Sequence, residues 1–177
     1  MEAQKADLFA FFETCGIAHT THTHKAVFTV EESEDIKAHL PGGHTKNLFL
    51  KDKKGVYFLI CALGNTQIPV NQLHKHLDCK RLSFGKPEAL LENLGVTPGS
   101  VTLFALINDR TCNVQLILDK ALFSHDVANF HPLTNTATTA ITSADMLVFA
   151  KETGHNPIIL DFDALTAGLE PNPKAPT

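Results

Sequence analysis

Apolar residues along the chain fall into helical spacing near the two ends and into alternating or continuous runs between them. From Ala3 to Cys15, Leu8, Phe12 and Cys15 share one helical stripe and Gly16 follows, which predicts an amphipathic opening helix. A strand is expected over Ile17 to Thr23. Thr29 with Glu32 three residues on reads as a capping box, opening a helix towards Leu40 that Pro41-Gly42-Gly43 stops. Apolar runs on both sides of Asp52-Lys53-Lys54-Gly55 predict a β-hairpin, with Gly55 supplying a positive φ.

Pro69 starts a short predicted helix to Leu77, and Ser83 to Leu94 reads as a loop and helix closed by Gly95. Val101 to Ile107 and Asn113 to Leu118 are apolar runs separated by Asn108-Asp109-Arg110, which predicts a second hairpin. Further strand is expected to about Ile141. Ser143 is placed as the cap of a helix running through Glu152, with Gly154 as its left-handed end, and Pro157 to Phe162 as a last strand. Hairpins with interspersed helices and no regular βαβ rhythm point to an α+β fold, a mixed, largely antiparallel twisted sheet flanked by helices. Residues 1–166 are expected to form a single domain and 167–177 a frayed tail.

With 177 residues and 44% apolar content, the chain is long enough to bury a core without staples. Cys15, Cys61, Cys79 and Cys112 stand far apart, and no basic-then-apolar leader opens the chain, so free, mostly buried thiols in a reduced cytoplasmic protein are expected. Apolar runs such as Val56 to Leu63 are too short to cross a bilayer, and no membrane role is expected. A net charge of −4 argues against broad nucleic-acid binding. Lysines nonetheless cluster locally: Lys46, Lys51, Lys53 and Lys54 in the hairpin, then Lys75, Lys80, Arg81 and Lys86, a patch suited to one RNA end or simply to solvated turns.

Ten histidines raise the question of a metal, above all His22 with His24 on a strand and His74 with His76. No HExxH, no Cys-His cluster and no third ligand at a telling spacing accompanies them, so no metal is expected. The GxSxG elbow and the phosphate-cradling glycine motifs are absent, which argues against a covalent nucleophile and a nucleotide cofactor. Cys61 and Cys112 fall in apolar runs and read as inert buried thiols. Lys46 is the residue to explain: a lone ammonium where a Gly42-Gly43 loop becomes an apolar strand suits an anionic or carbonyl-bearing ligand, although spacing alone favours a solvated strand entrance. His131 precedes Pro132 and a run of small hydroxyl residues. It fits either a pocket wall or a histidine bonded to backbone at a strand bend.

Six segments in order, HTHKAVFTVEES from His22, GGHTKNLFLKDKKG from Gly42, KRLSFGKPEALLENLGVTPGSVT from Lys80, LINDRTCNVQLILDKAL from Leu106, FHPLTNTATTAI from Phe130 and GHNPIILDF from Gly154, cover nearly the whole chain. Together they resemble the YbaK and prolyl-tRNA synthetase-associated editing domain family, in its free-standing, ProX-type alanyl-tRNA(Pro) deacylase branch. The resemblance implies a trans-editing hydrolase that cleaves the aminoacyl ester of mischarged tRNA without a cofactor, as a monomer, with prolyl-tRNA synthetase as a further partner. It assigns Lys46 of the TKN block and His131 of the HPLTNT block to the catalytic site, with Asn47 as a polar wall beside the lysine.

The family's GxxxP loop, whose amides face the aminoacyl group, is matched by Gly99, Ser100, Val101 and Thr102, but Leu103 stands where proline is expected. Leucine restores an N–H and frees φ, so a looser loop is expected. The resemblance also implies a pocket that admits alanine and spares proline, with Phe28 and Val30, or Phe104 and Leu106, as walls. Two alternatives share these residues: a deacylase for cysteine or serine on tRNA, and a non-catalytic RNA- or synthetase-binding module of the same fold.

Overall fold

In the computed structural model, the described residues are 3–26, Glu34 and 38–167. Helix α1 (Lys5–Cys15) ends on Gly16 in the left-handed conformation, and β1 (Thr20–Thr23) follows. The predicted hairpin is present as β2 (Gly43–Asp52) and β3 (Tyr57–Leu63), with Gly55 at φ +90° in the turn. Then come β4 (Leu82–Phe84), α2 (Pro87–Leu94), β5 (Val114–Asp119), β6 (Val127–Phe130), β7 (Ala137–Thr142), α3 (Ser143–Glu152), β8 (Ile158–Leu160) and α4 (Phe162–Ala167). Most of the expected Thr29 helix, with Phe28 and Val30, lies outside the described residues.

The strands form one mixed sheet in the order β1-β7-β6-β2-β3-β5-β8, with β4 also paired to β2. Pairings β1–β7, β6–β7, β2–β3 and β2–β4 are antiparallel, and β2–β6, β3–β5 and β5–β8 are parallel. Side chains alternate across it, so each face carries its own core. Phe49, Leu59, Cys61, Leu116 and Leu118 pack on one face with α1, α2, α3 and the Leu103–Leu106 segment. Leu50, Phe58, Ile60 and Ile117 pack on the other with Leu73, Leu77, Leu82 and Phe162.

The start of β2 depends on glycine. Gly42 sits at φ +96°, and a β-carbon there would meet the Val127 carbonyl oxygen at 2.7 Å. Only a residue without a side chain lets β2 enter this close to β6.

Several local expectations need correction. Val101 to Ile107 is not a strand: Pro98–Ser100 and Leu103–Asn108 are 3-10 turns. The run has no period-two alternation, and Leu103, Phe104, Ala105 and Leu106 are all buried, while the Thr102 hydroxyl caps the turn by accepting the Phe104 N–H at 3.3 Å. Asn108-Asp109-Arg110 therefore closes no hairpin, and β5 instead runs parallel to β3. Asp109 accepts the N–H groups of Asn113 and Val114 at 2.9 and 2.8 Å and pairs with buried His155 at 2.8 Å, fixing that turn.

Between Pro69 and Leu77 only Leu73–Lys75 is helical, a single 3-10 turn. Helix α3 is capped by Thr142, whose hydroxyl accepts the Asp145 N–H at 3.2 Å, one residue before the expected Ser143. Of the thiols, only Cys61 is buried; Cys15 and Cys79 are half-buried and Cys112 is exposed, because it lies in the turn before β5 at φ 54°. Among the described residues no helix is long and apolar enough to cross a membrane.

Candidate active site

Strand β2 has a gap in its pairing. On the side away from β3 it meets β6 only at Gly43 and His44, and β4 only from Leu50 to Asp52. Across Thr45 to Phe49 that edge has no strand partner among the described residues. The Phe49 carbonyl reaches across to accept the Gly85 N–H at 2.9 Å, and the Thr45 hydroxyl donates to the Asn129 carbonyl at 2.7 Å. Since Phe49 aims its carbonyl outward, alternation aims the N–H and C=O of Asn47 at the same open edge.

Asn47 carries a second unmet group. Its Nδ2 donates to the Thr45 hydroxyl at 3.2 Å, but its buried Oδ1 has no donor among the described residues. Such an acceptor costs about 1–3 kcal/mol until something donates to it. A ligand at the gap would supply that donor.

Lys46 leaves the strand on the opposite face. By alternation its side chain shares the side of Leu48 and Leu50, whereas Asn47 shares the side of Phe49 and Cys61, so Asn47 is not a wall beside the lysine. The half-buried ammonium donates to the Thr66 carbonyl. Burial pushes its pKa below the ordinary lysine value, and the Asp119 carboxylate opposes that shift. Asp119 is itself buried and accepts the Thr66 hydroxyl at 2.6 Å, the Leu63 N–H at 3.2 Å and the Ala121 N–H at 3.0 Å. Thr66 and Asp119 were absent from the sequence-based site; the only trace is an acid closing the apolar run VQLILD.

His131 follows β6 where it parts from β2. It stands two residues past Asn129, the last β6 residue in register with β2, where Asn129 pairs with His44. Its Nδ1 lies 3.2 Å from the Ala137 carbonyl, which only accepts, so Nδ1 carries the proton and neutral His131 keeps a lone pair on Nε2. Burial lowers its pKa, the Ala137 bond opposes this, and His24 lowers it further. His24 is held by the Lys25 carbonyl at 2.7 Å and the Thr138 hydroxyl at 2.9 Å. With both ring nitrogens engaged, His24 is no free chelator beside His22, and no group of three or more metal-ligating side chains occurs among the described residues.

The Gly99–Thr102 segment lies beside the loop that follows His131: a β-carbon on Gly99 would touch Asn135 Nδ2 at 3.6 Å. Through Leu103 and Phe104 it packs on the Asn47 face of the sheet. The Ser100 N–H is taken by the Thr97 carbonyl at 2.9 Å, while the N–H groups of Val101 and Thr102 have no acceptor among the described residues. Leu103 is the first residue after the Thr102 cap, the position where proline fits a helical turn, and its buried side chain enters the core. The turn is therefore held by packing instead of by a fixed φ.

A cavity of about 740 Å³ lies elsewhere, lined by Gln4, Glu88, Leu91, Glu92, Asn108 and Arg110 among others, and none of the residues above lines it. Two carboxylates make it a poor seat for an anionic ligand.

A family model described as aminoacyl-tRNA editing domain matches residues 24–149. The chain is 41% identical over 161 residues to prolyl-tRNA synthetase associated domain-containing protein 1 of Danio rerio, covering 90% of this chain and 88% of that one. It is 31% identical over 156 residues to the prolyl-tRNA editing protein ProX of Acetoanaerobium sticklandii, covering 88% and 94%. It also superposes on the crystal structure of a candidate trans-editing enzyme for prolyl tRNA synthetase with a TM-score of 0.67, at 19% identity and 91% and 98% coverage, a likeness of fold.

Proposed function

Because the chain belongs to the aminoacyl-tRNA editing domain family, it is an aminoacyl-tRNA deacylase, and we propose that its substrate is alanine esterified to proline tRNA. The observation that carries this reading is the set of groups at the β2 gap: the Oδ1 and outward main chain of Asn47, without partners among the described residues, and the ammonium of Lys46 rooted in the same strand. An aminoacyl end offers complementary chemistry, an α-ammonium donor for Oδ1 and an anionic backbone for the lysine.

The ester is already activated, so hydrolysis needs orientation, a proton acceptor and oxyanion stabilisation. Lys46 orients the terminal ribose and phosphate. The Val101 and Thr102 amides face the developing oxyanion, worth roughly 3 kcal/mol each where well aimed. His131, neutral at pH 7, accepts a proton at Nε2. A tight pocket favours a methyl side chain over a proline ring, since overlap rejects extra atoms efficiently. We place the enzyme as a cytoplasmic monomer acting on tRNA released by prolyl-tRNA synthetase.

Release of labelled alanine, cysteine, serine and proline from the same proline tRNA tests the assignment. Alanine is released fastest and proline not at all; equal rates for cysteine or serine, or no alanine release, overturn it.

A further inference from the structure

Phe84 is the most exposed large hydrophobic residue among those described, at 64%. It sits on β4, an edge strand that pairs only with β2, and register sets it opposite Leu50. By alternation its ring is on the Leu48 and Lys46 face of the sheet. The position is rigid: the next residue, Gly85, donates its N–H to the Phe49 carbonyl, and a β-carbon on Gly85 would meet the Phe49 ring at 2.4 Å. That ring is stacked on Tyr57 with centroids 5.2 Å apart.

Cations lie near it in the chain and in the paired strand and turn. Lys80, Arg81 and Lys86 flank Phe84 in the chain, and Lys51, Lys53 and Lys54 lie in the paired strand and its turn; all six are exposed, and none forms an ion pair among the described residues. The buried acid of the paired strand, Asp52, is occupied. Burial opposes its ionisation, but N–H bonds from Val56, Lys80, Lys54 and Gly55 outweigh that and hold its pKa below the carboxylate range. An exposed ring flanked in the chain by unpaired cations complements a base and its phosphates better than it does an apolar protein partner.

We propose that Phe84 is a stacking platform for an unpaired nucleotide of the RNA end that reaches the β2 gap, with Arg81 and Lys86 on its phosphates. The proposal rests on the deacylase reading for its RNA but assigns a separate contact. From Leu50 to Lys46 is four residues, about 13 Å along the strand. At roughly 3.4 Å per stacked step, the base on Phe84 is about two to four nucleotides before the terminal adenosine.

The test uses the full chain with an uncharged hairpin RNA ending in the proline tRNA acceptor sequence, carrying 2-aminopurine at each unpaired position in turn. Wild-type protein quenches the fluorophore at an upstream position more than at the terminus, Phe84→Trp preserves this, and Phe84→Ala abolishes it and weakens binding about tenfold. Arg81→Ala with Lys86→Ala reduces the salt dependence of binding by about 0.7 in slope for each phosphate no longer neutralised. In turnover, Phe84→Ala raises KM about tenfold with kcat within twofold. Binding and quenching by Phe84→Ala equal to wild type overturn the platform and leave Phe84 to a protein partner. Absent alanine release with quenching intact sinks the substrate assignment and leaves the platform standing.

Discussion

Asp119 holds Thr66 by a 2.6 Å bond from the threonine hydroxyl, and Thr66 in turn presents its carbonyl to the ammonium of Lys46. The acid thus acts on the lysine twice, through its field and through the segment it anchors. Asp119 is a positioning residue, and substitution separates its role from the lysine's own.

Lys46→Met is expected to remove deacylation by at least about a hundredfold while leaving stability equal or raised. Burial lowers the lysine pKa, so the folded state holds the charged form less readily than the unfolded chain; that penalty is present at neutral pH and is relieved only as pH rises through the folded pKa towards 10.5. Thermal unfolding beside single-turnover hydrolysis reads both quantities. A large loss of stability would make the lysine structural.

Asp119→Asn removes the interaction that keeps the lysine pKa from falling further. The alkaline limb of the kcat/KM profile therefore moves to lower pH. An unmoved limb with reduced rate would reduce Asp119 to an anchor for the Leu63, Thr66 and Ala121 groups that it binds.

His131 titrates below its usual 6.5, so activity that needs its neutral form persists below that pH and fails as pH drops through the folded value. The same burial contributes stability that is full above 6.5 and is lost as pH falls towards the folded pKa. His24→Gln removes one lowering influence and shifts the acid limb upward. Ring-proton NMR of His131 in both proteins measures the shift directly.

Gly42→Ala is expected to destabilise the protein by about 1–3 kcal/mol. The residue sits at φ +96° and faces the Val127 carbonyl. Gly99→Ala, with φ outside the left-handed region and only Asn135 within contact, should cost far less in denaturant unfolding.

The hairpin around Lys46 was legible because alternation, a charged turn and Gly55 all act within a short stretch of chain. The Leu103–Asn108 turn was not, since a continuous apolar run fits a buried strand and a buried helical turn alike, and only the Thr102 cap separates them. Parallel pairing of β5 with β3 joins residues far apart in the chain, which no local pattern encodes. The Asp119–Thr66 bond escapes for the same reason. The opposite facing of Lys46 and Asn47, by contrast, follows from strand periodicity alone.

The claim that the open edge of β2 is the reaction site is tested most directly by single-turnover hydrolysis of alanyl-tRNA(Pro) with wild type, Lys46→Ala and Asn47→Ala, all confirmed folded. The account predicts rapid release by wild type, loss of at least about a hundredfold for Lys46→Ala, and a substantial loss for Asn47→Ala. Near wild-type release by both variants would contradict it.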